Sequence, residues 1–207
     1  MLQSLQHKRD DDGTWNLSIG SGSLDLVTKT FGALINPGDS VLIETPVFAG
    51  TLGFLFGQEC DLIDVHTDTQ GLRPDDLEDT LVNWETKHPG KRFPKLLYTI
   101  PTGSNPSGAS SPEERKLKVL ELARRFNLLV LEDDAYHYLF YGTDKVTTRP
   151  ASYFELEARE GEVGRVVRFD TMSKVLSAGM RIGLLTAAPR LIEQVTLITT
   201  CTSVQPK

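Results

Sequence analysis

The chain has 207 residues, of which 39% are hydrophobic and 24% are charged, a composition typical of a globular unit with one sizeable core. Its formal net charge of −6 disfavours a nucleic-acid or anionic membrane partner. Cys60 and Cys201 are far apart and form no CxxC motif, which indicates a reducing compartment without a disulfide framework. The scattered histidines predict no metal site, and no apolar run approaches the length of a membrane span. The polar segment 1–12 lacks the apolar stretch of a signal peptide, so the sequence predicts a cytoplasmic protein.

Short apolar runs alternate with longer helix-like stretches along the chain, which predicts an α/β fold with a mostly parallel sheet flanked by helices. In such a sheet ligands bind at the carboxyl ends of the strands. The predicted strands are 41–44, 60–65, 95–100, 128–132, 166–170 and 181–187, with a short and weaker pattern at 15–19. The predicted helices are 23–35, 74–87, 112–126 and a last helix that opens at Pro189.

The start of the third helix carries a strong local signal. Ser111 stands where a capping residue would, Pro112 follows at the first helical position, and Glu114 comes three residues after the cap. This pattern predicts a helix N-terminus capped by the Ser111 side chain.

The segment Ser21-Gly22-Ser23 precedes the first predicted helix. Small residues there let backbone N–H groups approach a phosphate at the helix N-terminus, although an ordinary helix start has the same pattern. A dinucleotide site is a second alternative, because Gly20 and Gly22 supply two of the three glycines that it needs. It is disfavoured because Leu24 and Asp25 follow without the third glycine.

Polar side chains follow the next two central strands. Asn105 lies in a Gly-, Pro- and Ser-rich segment, which is also typical of a plain turn, between a strand end and a helix. Glu132, Asp133 and Asp134 end the following strand. Three acids after an apolar run cannot all be buried without a cationic partner, and one of them could keep a pyridine nitrogen protonated. Metal binding and a solvated loop are the alternatives for this acidic cluster.

Lys174 lies in the motif DTMSK at 170–174, and Arg181 follows seven positions later. The amine of a lysine can form a Schiff base with an aldehyde cofactor, while neighbouring hydroxyls and a guanidinium hold a phosphate. Pyridoxal 5′-phosphate (PLP) carries both groups, so this motif favours PLP as the cofactor. A surface lysine after a strand is the alternative for Lys174 taken alone.

Together and in this order, these motifs resemble those of the fold-type I pyridoxal-phosphate aminotransferases (class I/II). The wording is most similar to the branch of aromatic amino-acid, 2-aminoadipate and kynurenine aminotransferases. The resemblance covers nearly the whole chain from about residue 19. It rests on LYTIPTGSNP at 97–106, LEDDAY at 131–136 and SAGMRIG at 177–183.

The resemblance implies a role for each candidate residue. Lys174 would form the Schiff base and move the proton at the substrate α-carbon, and Asp133 would pair with the pyridine nitrogen. Asn105 and Tyr136 would hydrogen-bond the phenolic oxygen of the cofactor. Phe48 would stack on the ring, where many relatives have Tyr, and Leu24 replaces a residue that is often polar. The phosphate would be held by Ser23, Thr171, Ser173 and Arg181.

Length is the largest departure from the family pattern, whose members are roughly twice as long. The resemblance therefore implies an N-terminal remnant at 1–17 and an incomplete PLP-binding large domain of the aspartate aminotransferase type at 18–207. The C-terminal small domain would be absent, together with the arginine that grips the substrate carboxylate. The missing parts also contribute to the family's homodimer, so the sequence leaves open whether this chain dimerises or is active alone.

The function that the resemblance implies is amino transfer between an L-amino acid and a 2-oxo acid. The alternative is a catalytically impaired cofactor-binding fragment or interaction module of the same family. Similar motifs also serve lyases and decarboxylases, so the reaction type and the substrate stay open. The aminotransferase-like half of a transcription regulator is disfavoured, because no basic helix-turn-helix segment precedes Ser18.

Overall fold

A computed structural model describes residues 14–142, 148–161 and 163–203 of the chain. Eight strands in these ranges form one sheet, with helices on both sides. The strands are β1 (Asn16–Gly20), β2 (Ser40–Thr45), β3 (Asp61–Asp68), β4 (Gly71–Leu72), β5 (Leu96–Thr99), β6 (Leu129–Asp133), β7 (Val166–Thr171) and β8 (Gly183–Ala187). The helices are α1 (Ser23–Leu34), α2 (Ala49–Leu55), α3 (Pro74–Val82), α4 (Trp84–Lys87), α5 (Glu113–Arg125), α6 (Tyr153–Arg159) and α7 (Pro189–Thr202).

The strand order is β1-β8-β7-β6-β5-β2-β3-β4. The central strands β3, β2, β5, β6 and β7 are parallel, whereas β8 is antiparallel to both β7 and β1 and β4 is antiparallel to β3. The predicted α/β class with a mostly parallel sheet is confirmed. The weak pattern at 15–19 is a genuine strand, which the register Asn16↔Ala187 places at the edge beside β8.

Successive residues of the central strands point to opposite faces of the sheet, and both faces are covered. On β2, Val41 and Ile43 pack in one core with α1, α2 and α7, while Leu42 packs in the other with α3, α4, α5 and α6. Strands that are buried on both faces read as continuous apolar runs, which is why they were visible in the sequence. The carboxyl ends of five parallel strands consequently meet at one edge of the sheet.

The predicted helix at 74–87 is wrong in its middle, where Asn83 interrupts it with φ −100° and ψ 26°. The Asn83 side chain donates a hydrogen bond to the Asp79 carboxylate at 2.6 Å. Asparagine favours such local bonds over a continuous helix, so α3 ends at Val82 and the short α4 begins at Trp84.

The predicted Ser111 cap is also wrong. Helix α5 begins at Glu113, with Pro112 at the N-cap and no side-chain cap. Ser111 instead donates its backbone N–H to the Pro101 carbonyl at 2.8 Å. Its hydroxyl lies against Gly71, where an added Cβ would be only 2.3 Å from Ser111 Oγ. Ser111 therefore packs closely against Gly71 of β4 instead of capping α5, which spacing alone cannot show.

A true capping box opens α6, a helix that the sequence analysis did not predict. The Ser152 hydroxyl accepts from the Glu155 backbone N–H at 3.0 Å, and the Glu155 carboxylate accepts from the Ser152 backbone N–H at 2.8 Å. The spacing of serine and glutamate is the usual sequence signal for such a start. Helix α2 was also missed.

Strand β1 crosses the predicted boundary at residue 17, and residues 1–13 lie outside the described ranges. The division into a remnant and an incomplete large domain therefore stays a prediction. No helix within the described ranges is long and apolar enough to cross a membrane. The cytoplasmic location also stays a prediction.

Candidate functional site

A cavity of about 270 Å³ lies at the carboxyl ends of the parallel strands. All nine candidate residues from the sequence line it, although their roles remain predictions. The lining consists of Ser23, Phe48, Asn105, Asp133, Tyr136, Thr171, Ser173, Lys174 and Arg181, together with Gly22, Leu24, Ile100, Ala135 and Ala178.

One end of the cavity is built from the start of α1 and the turn before β8. A Cβ at Gly183 would lie 2.3 Å from the Gly22 carbonyl carbon, so only glycine lets the two segments approach this closely. Gly22 itself has φ 101°, and a Cβ there would lie 2.6 Å from Nη2 of Arg181. These two glycines bring the guanidinium beside the N-terminus of α1, where N–H groups lack helical partners.

Arg181 reaches this end from an unusual backbone position. The predicted strand at 181–187 begins later, at Gly183, because Arg181 has φ 52° in the left-handed region. Its Nη2 donates to the Ser21 carbonyl oxygen at 2.8 Å. Because the side chain is also exposed, it can offer further donors to an anion in the cavity.

Hydroxyl groups at and just after the end of β7 add to the polar lining of the cavity. Thr171 is buried and accepts from the Ser173 backbone N–H at 3.2 Å. Lys174 follows, exposed, with its Nζ 5.7 Å from the centroid of the Tyr136 ring. The amine, the hydroxyls and the guanidinium therefore line one space, as the Schiff-base hypothesis requires.

Asp133 lines the same cavity from the carboxyl end of β6. Its Oδ2 accepts a hydrogen bond from the Tyr98 hydroxyl at 2.7 Å, whereas its buried Oδ1 has no hydrogen-bond partner. Burial raises the pKa of Asp133 to about 6, while the Tyr98 hydrogen bond opposes that rise. A buried carboxylate oxygen without a partner is costly, so its place in the cavity lining indicates that it serves a ligand.

The three acids at the end of β6 are all buried, and Arg168 supplies the cationic partner that the sequence argument required. Its Nη1 lies 3.1 Å from Glu132 Oε2 and 2.9 Å from Asp134 Oδ2, and its Nη2 lies 2.8 Å from Asp170 Oδ1. The alternative of a solvated acidic loop is wrong. Arg168 was missed because the register that pairs Glu132 with Arg168 appears only in the folded sheet.

The metal alternative for the acidic cluster finds no support in the described part of the chain. No group of three or more His, Cys, Asp or Glu side chains is arranged there to hold a metal ion. Asp134 also lies 2.9 Å from Nδ1 of the buried His137, in addition to Arg168. Glu132 accepts the backbone N–H groups of Tyr153 at 2.7 Å and Phe154 at 3.2 Å, and so ties β6 to the start of α6.

Glu44 is a second buried carboxylate close to the site that the sequence analysis did not single out. Its oxygens accept from the Thr99 hydroxyl at 2.6 Å and the Ser104 hydroxyl at 2.8 Å, and Ser104 directly precedes Asn105. Burial raises its pKa to about 7. An acid at the end of an apolar strand was the available sequence signal.

The raised pKa of Glu44 predicts a pH dependence of stability. A carboxyl group whose folded-state pKa exceeds its unfolded value binds more protons in the native state, so its contribution falls as pH rises from about 4 towards 7. Glu44→Gln keeps the shape but cannot titrate. We therefore expect wild-type stability, relative to that of the variant, to fall by about 3 kcal/mol across this window. Urea unfolding at several pH values measures this difference, and two parallel pH curves would contradict it.

The comparisons with known proteins agree with this geometry. A family model for class I and II aminotransferases matches residues 5–205, and the chain belongs to this family. The chain is 48% identical over 206 residues to the aminotransferase tdiD of Emericella nidulans, covering 99% of this chain and 46% of that protein. It is 38% identical over 194 residues to the mitochondrial kynurenine/alpha-aminoadipate aminotransferase of Bos taurus, covering 92% of this chain and 44% of that protein.

Solved structures show the same fold. A multiple substrate aminotransferase from Thermococcus profundus superposes with a TM-score of 0.84 at 29% identity, covering 98% of this chain and 48% of that one. An alpha-aminoadipate aminotransferase from Thermus thermophilus, complexed with N-(5′-phosphopyridoxyl)-L-leucine, superposes with a TM-score of 0.81 at 28% identity, covering 90% and 45%. The chain thus spans a little under half the length of the relatives it matches.

Proposed function

We propose that this chain is the PLP-binding part of an aminotransferase that moves an amino group between an L-amino acid and a 2-oxo acid. The observation that carries the proposal is one cavity lined both by a buried carboxylate with an unpartnered oxygen and by a lysine amine, hydroxyls and a guanidinium. Family membership and the relatives named as aminotransferases support it.

The residues present fit the cofactor in three respects. The unpartnered Oδ1 of Asp133 suits a protonated ring nitrogen. The close approach of Gly22 and Gly183 leaves N–H groups and the Arg181 guanidinium available to a phosphate. Phe48 contributes a half-buried aromatic ring to the lining. When bound, the cofactor supplies an electron sink for charge that develops at the substrate α-carbon.

The chain's own side chains would divide the work between binding and proton transfer. Asp133 would keep the ring nitrogen protonated, and Asn105 and Tyr136 would donate to the phenolic oxygen. The Nζ of Lys174 would take the proton from the substrate α-carbon and return it to a neighbouring atom. Phosphate binding would fall to Ser23, Thr171, Ser173 and Arg181, with Leu24 contributing no polar contact.

The substrate class that we propose is an aromatic or 2-aminoadipate-like amino acid with a 2-oxo acid as the partner substrate. Its support is the similarity to the kynurenine/alpha-aminoadipate enzyme and to an aromatic amino acid aminotransferase of Dictyostelium discoideum at 33% identity. The chain covers less than half of those relatives, so the activity and substrates of the whole protein are part of this proposal.

Lys174→Ala is expected to abolish the covalent attachment of PLP. We expect borohydride treatment of the wild-type protein with PLP to fix the cofactor to one peptide, which mapping assigns to Lys174. The variant should incorporate none, whereas the exposed lysine variant Lys118→Ala on α5 should be labelled like the wild type. Labelling of another lysine would refute the assignment. Labelling of Lys174 without turnover of any amino acid would instead favour a catalytically impaired cofactor-binding fragment.

A further inference from the structure

Tyr98 lies directly behind Asp133 and is fully buried, in the middle of β5. Its hydroxyl is 2.7 Å from Asp133 Oδ2 and 3.0 Å from Oγ1 of the fully buried Thr51 on α2. Its ring packs against Phe31 of α1, with 5.8 Å between the ring centroids. Neither Tyr98 nor Thr51 belongs to the cavity lining among the described residues, and Asp133 is the lining residue to which Tyr98 is hydrogen-bonded.

The direction of the two hydrogen bonds follows from the number of protons. An ionised carboxylate can only accept, so Tyr98 must use its single hydroxyl proton to donate to Asp133. The bond between Thr51 and Tyr98 must then be donated by Thr51. The two hydroxyls form a relay that ends on Oδ2 and leaves Oδ1 as the oxygen without a partner.

We propose that Tyr98, supported by Thr51, is a positioning residue that holds the Asp133 carboxylate ionised and in one rotation, so that Oδ1 is presented to the cofactor ring nitrogen. This inference rests on the proposed function. It adds to that function two residues outside the cavity, Tyr98 and Thr51. They would keep Asp133 ionised and correctly rotated, and the electron sink depends on Asp133.

The charges around Asp133 explain why such a donor is needed. Burial, together with Asp134 and Asp170, raises the pKa of Asp133. Glu44 on β2 is a further acid that interacts with it. The Tyr98 hydrogen bond and Arg168 oppose this rise. Without the hydroxyl, the balance of these groups favours a protonated carboxyl, which cannot pair with a protonated ring nitrogen.

Tyr98→Phe tests the relay in the protein without cofactor. The carboxyl carbon of Asp133, labelled with carbon-13 and assigned by comparison with Asp133→Asn, reports its pKa by NMR titration. A hydrogen bond to a charged group corresponds to a shift of about 1–2 pH units, so the pKa in Tyr98→Phe should rise by that amount. The matched control is Tyr153→Phe, another fully buried tyrosine, whose loss of a hydroxyl should leave the Asp133 titration unchanged. An unchanged pKa in Tyr98→Phe would overturn the proposal.

Two variants of Thr51 give a second test that spares the core tyrosine. Thr51→Val removes the donor to Tyr98 and weakens the polarised chain of hydrogen bonds, so the Asp133 pKa should rise by less than in Tyr98→Phe. Thr51→Ser keeps the hydroxyl and should restore the wild-type value. A rise of equal size in both Thr51 variants would show a packing effect and would refute the relay.

The cofactor arm of the test uses PLP labelled with nitrogen-15 in the ring. The nitrogen-15 signal shows whether the ring nitrogen is protonated. We expect the ring nitrogen to lose its proton at a higher pH in the wild type than in Tyr98→Phe. If the Asp133 pKa rises without cofactor but the ring nitrogen is unaffected, the positioning role is wrong while the proposed function stands. If PLP does not attach to Lys174 in the wild type, the proposed function fails, and the titration still decides the hydrogen-bond relay.

Discussion

Asp133→Asn is expected to slow exchange of the α-proton of a bound amino acid by about 100-fold or more. The amide cannot hold a ring nitrogen protonated, so the charge that develops at the α-carbon loses its acceptor. The fold should remain, because an amide can still accept the Tyr98 hydrogen bond and the substitution removes a buried charge. Proton NMR in deuterium oxide, with PLP-loaded protein and an aromatic amino acid, measures the exchange.

The best control for Asp133 is Asp39, another buried aspartate that lies just before β2, at the opposite end of the strands. Asp39→Asn should leave α-proton exchange at the wild-type rate. The adjacent Asp134 lies outside the cavity lining, yet it is unsuitable because its carboxylate pairs with Arg168 in the core. Wild-type exchange in Asp133→Asn would refute the role of this carboxylate.

Arg168→Met is expected to lower the free energy of unfolding by about 3–5 kcal/mol. Methionine fills part of the same space but leaves Glu132, Asp134 and Asp170 buried without the cation that lies within 3.1 Å of each. Chemical unfolding at neutral pH measures the loss. The exposed Arg159→Met, which breaks a surface pair with Glu113, should change the stability little.

The loss in Arg168→Met should itself depend on pH. Arg168 and His137 lower the pKa of Asp134, and a carboxyl with a lowered folded-state pKa contributes stability above its unfolded value, about 4, that is lost as pH falls. Arg168→Met lacks the contribution of Arg168 at every pH. The difference in the free energy of unfolding between this variant and the wild type should therefore shrink below about pH 4. A constant difference from neutral to acid pH would show that packing, and not charge, causes the loss.

The sequence predicted much of the fold because the central strands are buried on both faces and so appear as continuous apolar runs. It also predicted the start of α1 at Ser23 and of α7 at Pro189. It did not predict the break at Asn83, which a side-chain hydrogen bond to Asp79 accompanies, or the start of α5, where the Ser111 backbone bonds to Pro101 instead of capping the helix. The antiparallel direction of β8 likewise depends on its neighbours in the sheet.

For the candidate site, the sequence by itself determined which side chains are available: the lysine with its hydroxyls and arginine, the asparagine, and the acids with a tyrosine three residues after Asp133. These motifs lie at strand ends, and strand ends of a parallel sheet meet, so one cavity could be expected. Only the tertiary structure decided what surrounds them. Arg181 reaches Ser21 across 160 positions, and Arg168 and Tyr98 approach the acids from neighbouring strands. Strand order and register set those contacts, and neither can be read from the spacing of residues along the chain.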